Sequence, residues 1–340
     1  MDNDILTFAA ETENANGIRI RQRSQQPDFP EERLQLPRRE EFYRRGAAAL
    51  TRLYGREMPY ACPQCLDLFD RADLESKNLT LEHVPPASIG GSEICLTCRV
   101  CNNTAGSDYE FSLSEAAKLR EMYAALRGQS TYTGPVRVAV AGIETNATIV
   151  IADGKVELAV YESRNNPGTF RQQLGSYGAR ASDRDDPVQL KVSGSVRADA
   201  RSLFISHLRS AYLAAFSFFG YSYILDTKLD VVRQQLLNSK DVVVPNSAAL
   251  LSGDLPFVQD APMIFIASAP LPAVVVALPF GPGTDVPQIW ILLPWISSPT
   301  DFYAALDNSY IGAEIRKRAL HLEASKIGWP TGPLFCLDDQ

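Results

Sequence analysis

Apolar side chains recur at helical spacing in several segments of the chain, and these segments predict helices. The longest such segment, 198–219, predicts a helix buried along its length; its apolar positions are Phe204, Leu208, Ala211, Ala215 and Phe219. Residues 38–54 combine an apolar side with Glu–Arg pairs four positions apart, which favour a helix with one exposed face. The segment Ser112-Leu-Ser-Glu115 has the form of a capping box for a helix that ends at Gly128. A further helix is predicted over 228–238.

Alternating polarity predicts strands in the C-terminal part of the chain. Three such segments lie at 136–143, 147–152 and 156–161, and Asp153-Gly154 is typical of a hairpin turn between the last two. Three more β-rich segments are separated by turns with proline and glycine, at 263–268, 273–278 and 288–293. Helical turns are predicted near 300–326. Residues 129–340 are therefore predicted to form one α+β domain.

The N-terminus and the composition predict a flexible arm in front of globular parts. Residues 1–37 are polar, contain three prolines and lack periodicity. The chain of 340 residues, 45% hydrophobic and 21% charged, is typical of a globular protein with two domains. Its longest apolar runs are too short for a bilayer, and the N-terminus lacks a secretory signal. We therefore expect a cytoplasmic protein without membrane contact.

The net charge limits how the chain can bind nucleic acid. A formal charge of −7 argues against a protein that coats nucleic acid through its overall charge. A nucleic-acid enzyme with this charge needs a local basic surface. Arg19, Arg21 and Arg23 alternate in the predicted arm and could follow a DNA backbone, but an ordinary disordered tail explains them as well.

Two Cys-x-x-Cys pairs give the chain its most specific chemical pattern. Their cysteines are Cys62, Cys65, Cys98 and Cys101. In a reducing compartment such pairs are typical of metal ligands, and four thiolates suit a tetrahedral, structural Zn²⁺. Redox-active pairs are the alternative, as is a ligand set in which Cys95 replaces Cys98 or Cys101.

Between the cysteine pairs the sequence predicts a strand, a loop, a second strand and a helix. Residues 79–83 are strand-like and end at Pro85-Pro86, Gly90-Gly91 lies in the loop, and residues 94–97 return as the second strand. Asn102 opens the helix directly after the last cysteine. This segment resembles the HNH (ββα-metal) endonuclease family, in the subgroup with two zinc-binding Cys-x-x-Cys pairs.

The resemblance implies a role for individual residues. His83 would be the general base that activates a water molecule. Glu82 and Asn102 would hold one Mg²⁺ or Mn²⁺ at the scissile phosphate, with Asn103 as an alternative ligand. The expected products carry 5′-phosphate and 3′-hydroxyl ends. Without the resemblance, His83 could cap a strand and Asn102 could cap the helix.

This sequence departs from the family pattern at three positions near the site. Glu82 replaces the commoner aspartate; it is longer but chemically equivalent as a ligand. The middle asparagine of the family corresponds to Glu93, so the support of the loop is altered or supplied elsewhere. A lysine common in the following helix is missing, so phosphate contact would fall to Arg99 or to residues outside the core. The fold class implied is α+β, with a zinc-clipped HNH module at 38–128 and an α+β domain of unassigned fold at 129–340.

The resemblance predicts a metal-dependent endonuclease that hydrolyses DNA, with RNA as the alternative substrate. A restriction or anti-phage defence effector is the cellular role suggested by analogy. Residues 129–340 would select the substrate, form a homo-oligomer, or sense an activating ligand or partner. The alternative is a catalytically silent, zinc-stabilised protein that binds nucleic acid or docks a partner.

Overall fold

The structure is a computed structural model, and it describes residues 18–19, 32–140, 143–153, 155–172, 175, 190–193, 198–252, 263–267, 271–278 and 288–306. A π-helical turn, Gly106–Glu110, joins the third helix to the fourth. In chain order the helices are α1 (Glu32–Tyr54), α2 (Ala72–Glu75), α3 (Arg99–Ala105), α4 (Phe111–Leu126), α5 (Ala200–Phe219), α6 (Tyr221–Ile224), α7 (Asp230–Leu237) and α8 (Phe302–Leu306).

Within the described ranges the strands form four antiparallel or mixed sheets. In chain order they are β1 (Ile18–Arg19), β2 (Tyr60–Ala61), β3 (Leu68–Phe69), β4 (Leu79–Val84), β5 (Ser92–Cys98), β6 (Tyr132–Val140), β7 (Ile143–Ala152), β8 (Lys155–Val160), β9 (Leu190–Ser193), β10 (Ala249–Ser252), β11 (Met263–Ala267), β12 (Ala273–Leu278) and β13 (Gln288–Pro294). The mixture of helices and small sheets confirms the predicted α+β class.

The chain divides into two compact units, and each comprises two stretches of sequence. The first unit lies within Met1–Phe29 and Lys118–Val196, and the second within Pro30–Ala117 and Arg197–Gln340. This division differs from the predicted boundary at residue 129. Residues 197–340 belong with the cysteine-rich region because α5 and the elements after it share one hydrophobic core with the hairpin β4–β5.

The first unit contains a sheet with the strand order β1-β8-β7-β6-β9. Strands β6, β7 and β8 form an antiparallel meander, and Ala152 pairs with Lys155 across a two-residue turn. Asp153 in that turn has a φ of 51°, as a tight hairpin turn requires, so the predicted hairpin is confirmed. Strand β1 pairs in parallel with β8, which places Arg19 opposite Glu157.

The second unit is organised around helix α5. Asp199 caps its N-terminus by accepting a hydrogen bond from the Ser202 amide at 2.8 Å. The helix ends at Gly220, whose φ is 71°. Fifteen of its 20 residues are buried, and it packs against the sheet β10-β13-β12-β11. Among the described residues no helix is long and apolar enough to cross a membrane.

Polar contacts hold the cysteine-rich region against α5 and its neighbours. The Tyr212 hydroxyl donates to the Pro63 carbonyl at 2.7 Å, and the Gln64 amide donates to the Leu236 carbonyl at 3.3 Å. The Tyr221 hydroxyl donates to the Ala61 carbonyl. These contacts join the first Cys-x-x-Cys turn to residues about 150 positions later in the chain.

Two predicted helix ends differ from the structure. Helix α1 begins at Glu32 rather than at residue 38, so the end of the predicted arm is helical. The predicted capping box at Ser112 is wrong, because the chain is helical from Arg99 to Leu126 without a break. The buried side chains of Tyr109 and Leu113 on either side of Ser112 belong to the core of the second unit, which favours a continuous helix.

Removing the Tyr221 hydroxyl tests how strongly the cysteine-rich region depends on α6. Tyr221 is 1% exposed, and its hydroxyl also accepts a hydrogen bond from the Ala61 amide at 3.1 Å. We expect Tyr221→Phe to lower the free energy of unfolding by about 1–2 kcal/mol, since two buried hydrogen bonds are lost. Urea denaturation followed by circular dichroism measures the change. Tyr54→Phe is the control, because Tyr54 is 53% exposed; equal effects of both substitutions would contradict the prediction.

Candidate metal centre and adjoining polar site

Each Cys-x-x-Cys pair forms a tight turn that brings its two thiols together. In the first turn the Leu66 amide donates to the Cys62 carbonyl at 2.8 Å, and Leu66 has a φ of 64°. The second turn lies where β5 passes into α3. There the Cys98 side chain caps the helix by accepting a hydrogen bond from the Cys101 amide at 3.4 Å.

The four cysteines form a cluster that could hold a metal ion such as zinc. All four sulfur atoms lie within 4.8 Å of one another, and the Cys65 and Cys98 sulfurs are 3.8 Å apart. A tetrahedral zinc ion with Zn–S bonds of about 2.3 Å would separate its sulfur ligands by about 3.8 Å. The Cys98 amide also donates to the Cys62 sulfur at 3.3 Å, a contact that stabilises a thiolate. The residues present therefore fit a structural Zn²⁺.

Cys95 lies outside this cluster. It is 2% exposed and stands opposite Glu82 in the hairpin. Burial, together with the nearby Glu82 carboxylate, raises the pKa of its thiol well above the ordinary value. The alternative ligand set with Cys95 is therefore not the one that the geometry favours.

The cysteine cluster has a small apolar core of its own. Tyr60, Leu74, Leu79 and Leu96 are all fully buried around the sulfur atoms. The Tyr60 hydroxyl donates to the Leu96 carbonyl at 2.8 Å and accepts from the Leu96 amide at 3.2 Å. So few apolar residues bury little area, which is why a metal ion would contribute much of the stability here.

The predicted hairpin between the cysteine pairs is present as β4 and β5. Its loop needs glycine at both predicted positions: Gly90 has a φ of 85°, and a Cβ on Gly91 would lie 1.4 Å from the Pro85 carbonyl oxygen. The register shifts by one residue after Glu82, so that His83 stands opposite Glu93. The predicted helix then follows as α3.

His83 is partly exposed and lies next to a charged residue. Its side chain is 31% exposed, and its Nε2 lies 3.7 Å from Glu93 Oε1. Arg38, from helix α1, contacts the other Glu93 oxygen with its Nε at 2.9 Å. Arg38 and Glu93 are 55 positions apart, so this contact depends on the tertiary fold.

Glu82 has a different environment from the one predicted for a ligand of a catalytic cation. It is 4% exposed, and its two oxygens accept hydrogen bonds from Arg209 at 2.8 and 2.6 Å. Oε2 also accepts a hydrogen bond from Thr97 Oγ1 at 2.8 Å. Binding of Mg²⁺ or Mn²⁺ by Glu82 would require the displacement of Arg209. The residues present therefore do not fit the predicted catalytic cation.

Arg209 connects three separate elements through its guanidinium group. Besides Glu82 it contacts Glu110 Oε1 at 2.5 Å and Gln64 Oε1 at 3.1 Å. Burial alone would lower the pKa of Arg209, but the two carboxylates more than offset it, so the group stays charged. Burial raises the pKa of Glu110, although Arg209 opposes this change. Sequence reasoning missed this cluster; its signal was Arg209, a charged residue in the middle of the apolar segment 198–219.

The remaining predicted site residues lie in several places. The Asn102 amide donates to Thr80 Oγ1 at 3.1 Å, on the hairpin. Asn103 and Arg99 are exposed on α3. Arg19 lies in β1 of the first unit, and Arg21 and Arg23 lie outside the described residues. Glu82 and Asn102 both contact threonines of the hairpin, whereas His83 lies next to Glu93.

Comparison of the chain with protein-family models, with curated proteins and with solved structures finds no significant match.

Metal analysis of two cysteine variants tests the zinc site. We expect the purified chain to contain one zinc ion, and Cys101→Ala to lose it and to unfold at a lower urea concentration, because three thiolates leave the coordination incomplete. Cys95→Ala is the control, since Cys95 is a buried thiol outside the cluster. Elemental analysis gives the zinc content. Full zinc content in Cys101→Ala, or loss in Cys95→Ala, would contradict this ligand set.

Replacement of Arg209 tests the buried ion pair. Arg209→Met leaves the Glu82 and Glu110 carboxylates buried without their cation, so we expect the free energy of unfolding to fall by about 3–5 kcal/mol. Adding Glu82→Gln should recover part of the loss, because one unpaired charge is removed. Denaturation curves measure both effects, with Arg99→Met as the exposed control. A loss as small as that of the control would show that the pair contributes little.

Proposed function

We propose that the second unit carries a nuclease site in which His83 activates the water molecule that attacks a phosphodiester of DNA. The position of His83 carries the proposal. It lies on a ββα hairpin attached to a four-cysteine cluster, is partly exposed, and has a carboxylate neighbour at 3.7 Å. The resemblance of the sequence to HNH endonucleases supports the same role. RNA is the alternative substrate.

The reaction is the hydrolysis of one phosphodiester bond. The neutral imidazole of His83 takes a proton from water, and the water oxygen forms a bond to phosphorus. The bond between phosphorus and the 3′ oxygen breaks, that oxygen takes a proton from solvent, and His83 releases the proton it took from water to solvent. The products are a 5′-phosphate and a 3′-hydroxyl end.

The predicted catalytic Mg²⁺ or Mn²⁺ has no step in this proposal. Glu82 is occupied by Arg209, so we assign Glu82 to the buried ion pair that holds the hairpin in place. Asn102 and Asn103 remain candidates for contact with the substrate phosphate or with a cation bound to that phosphate. Cleavage of plasmid with Mg²⁺, with Mn²⁺ or with a chelator measures whether the reaction depends on added divalent cations.

The pairing of Glu82 with Arg209 favours a second candidate function. A protein that kept the zinc cluster and hairpin but lost the ligands of its catalytic cation would bind nucleic acid, or dock a partner, without cutting. Such a protein would retain zinc and fold, and His83→Ala would leave its binding unchanged.

The wider role follows from analogy rather than from the site. A restriction or anti-phage effector is the role we propose for a nuclease of this kind. The first unit would then select the substrate, mediate self-association or respond to an activating ligand. These assignments rest on the nuclease proposal.

Cleavage of supercoiled plasmid tests the proposal. We expect nicking or linearisation by the parent chain, and a rate at least about 10²-fold lower for His83→Ala, because the general base is lost. Reactions contain Mg²⁺, Mn²⁺ or a chelator too weak to remove the structural zinc. Ser92→Ala, an exposed substitution in the same hairpin, is the matched control and should cut like the parent.

Other outcomes distinguish the two candidates. Equal cutting by the parent and His83→Ala would place the activity elsewhere or in a contaminant. No cutting by any folded, zinc-loaded chain would contradict the nuclease. Binding of the same DNA in a gel-shift assay, weaker at higher salt, would then support the second candidate.

A further inference from the structure

Three neighbouring side chains of the second unit form a row: Arg38, Glu93 and His83. Arg38 contacts Glu93, and Glu93 faces His83. We propose that Glu93 is the positioning residue of His83, and that Arg38 holds the Glu93 carboxylate in place. The inference rests on the proposed function, because it assigns Glu93 to the orientation of the general base.

The irregularity in the hairpin is what brings Glu93 to His83. From Leu79 to Glu82 the register is regular, and Glu82 pairs with Cys95. Continued without change, it would put Ile94 opposite His83. The one-residue shift puts Glu93 there instead, and Ile94 is buried in the core. A β-bulge commonly redirects a side chain near a functional site in this way.

Arg38 fixes the carboxylate from the opposite side. Its Nε lies 2.9 Å from Glu93 Oε2, and its NH2 group donates to the Glu93 backbone carbonyl at 3.4 Å. The guanidinium carbon also lies 5.7 Å from the ring centre of Phe42. With one Glu93 oxygen held by Arg38, the other is directed at His83.

The separation of 3.7 Å between His83 Nε2 and Glu93 Oε1 is longer than a hydrogen bond. Such contacts are often long without substrate and shorten when it binds. A hydrogen bond from Nε2 to Glu93 would fix the tautomer and leave Nδ1 to accept the proton from water. A carboxylate would thus take the place of the asparagine that the family pattern has at this position.

If Glu93 had a purely structural role, its substitution would lower the stability of the fold. Ion pairs between partly exposed side chains contribute little to stability, and the side chains of Arg38 and Glu93 are 55% and 22% exposed. Substitution of Glu93 should therefore leave the unfolding midpoint almost unchanged while changing the orientation of His83.

The test combines kinetics with a measurement that does not need activity. The variants are Glu93→Ala and Glu93→Asp, with Glu75→Ala as an exposed control in the same unit. Arg38→Ala is compared with Arg44→Ala, an exposed arginine of the same helix. Histidine labelled with ¹⁵N reports the ring tautomers, and His83→Ala assigns the His83 signal among the three histidines.

Bound to an uncleavable DNA analogue, the parent should show a single Nε2–H tautomer of His83, and Glu93→Ala should show a mixture, because the hydrogen bond from Nε2 to Glu93 forms when substrate binds. In Glu93→Ala, kcat should fall on the order of 10²-fold with little change in KM, because the base is misplaced while substrate contacts remain. Glu93→Asp should recover part of kcat. The kcat of Arg38→Ala should lie between that of Glu93→Ala and that of its control, Arg44→Ala.

An unchanged His83 tautomer in Glu93→Ala would overturn the inference, whatever the activity of the parent. An altered tautomer with unchanged kcat would also overturn it. If the parent cuts no DNA but the tautomer of His83 depends on Glu93, the proposed function fails while the contact between these residues stands.

Discussion

The ion pair between Arg209 and Glu82 is the contact on which the rest of the second unit depends. Its guanidinium group lies in the core and joins the hairpin, the first cysteine turn and the π-helical turn to helix α5. The two carboxylates and the guanidinium together have a formal charge of −1, and burial makes any unpaired charge costly. Arg209 on α5 therefore stabilises the position of the hairpin that presents His83.

The local parts of the site could be predicted from the sequence because local chemistry determines them. The spacing of Cys62, Cys65, Cys98 and Cys101 brought four sulfurs together as expected. The hairpin followed from strand-like residues around Gly90-Gly91, and the strands β12 and β13 followed from apolar runs between turns. In each case the residues that decide the structure are neighbours in the chain.

The features that could not be predicted depend on contacts between distant residues. Glu82 and Arg209 are 127 positions apart, and nothing near Glu82 indicates that its carboxylate is occupied. The contact of His83 with Glu93 depends on a shift of one residue in strand pairing, which alternation of polarity does not reveal. The grouping of residues 197–340 with the cysteine-rich region likewise depends on contacts between distant residues, since α5 packs against β4 and β5.

The discontinuous second unit also has a consequence for synthesis on the ribosome. Arg209 follows Cys101 by 108 residues (209 − 101). The segment with the four cysteines therefore leaves the ribosome well before Arg209, the partner of Glu82 and Glu110, is made. At bacterial or eukaryotic elongation rates that delay is on the order of ten seconds. During this interval the nascent chain can bind metal but cannot form the core around His83. A nuclease assembled in this order would stay inactive towards nearby nucleic acid until helix α5 had been made.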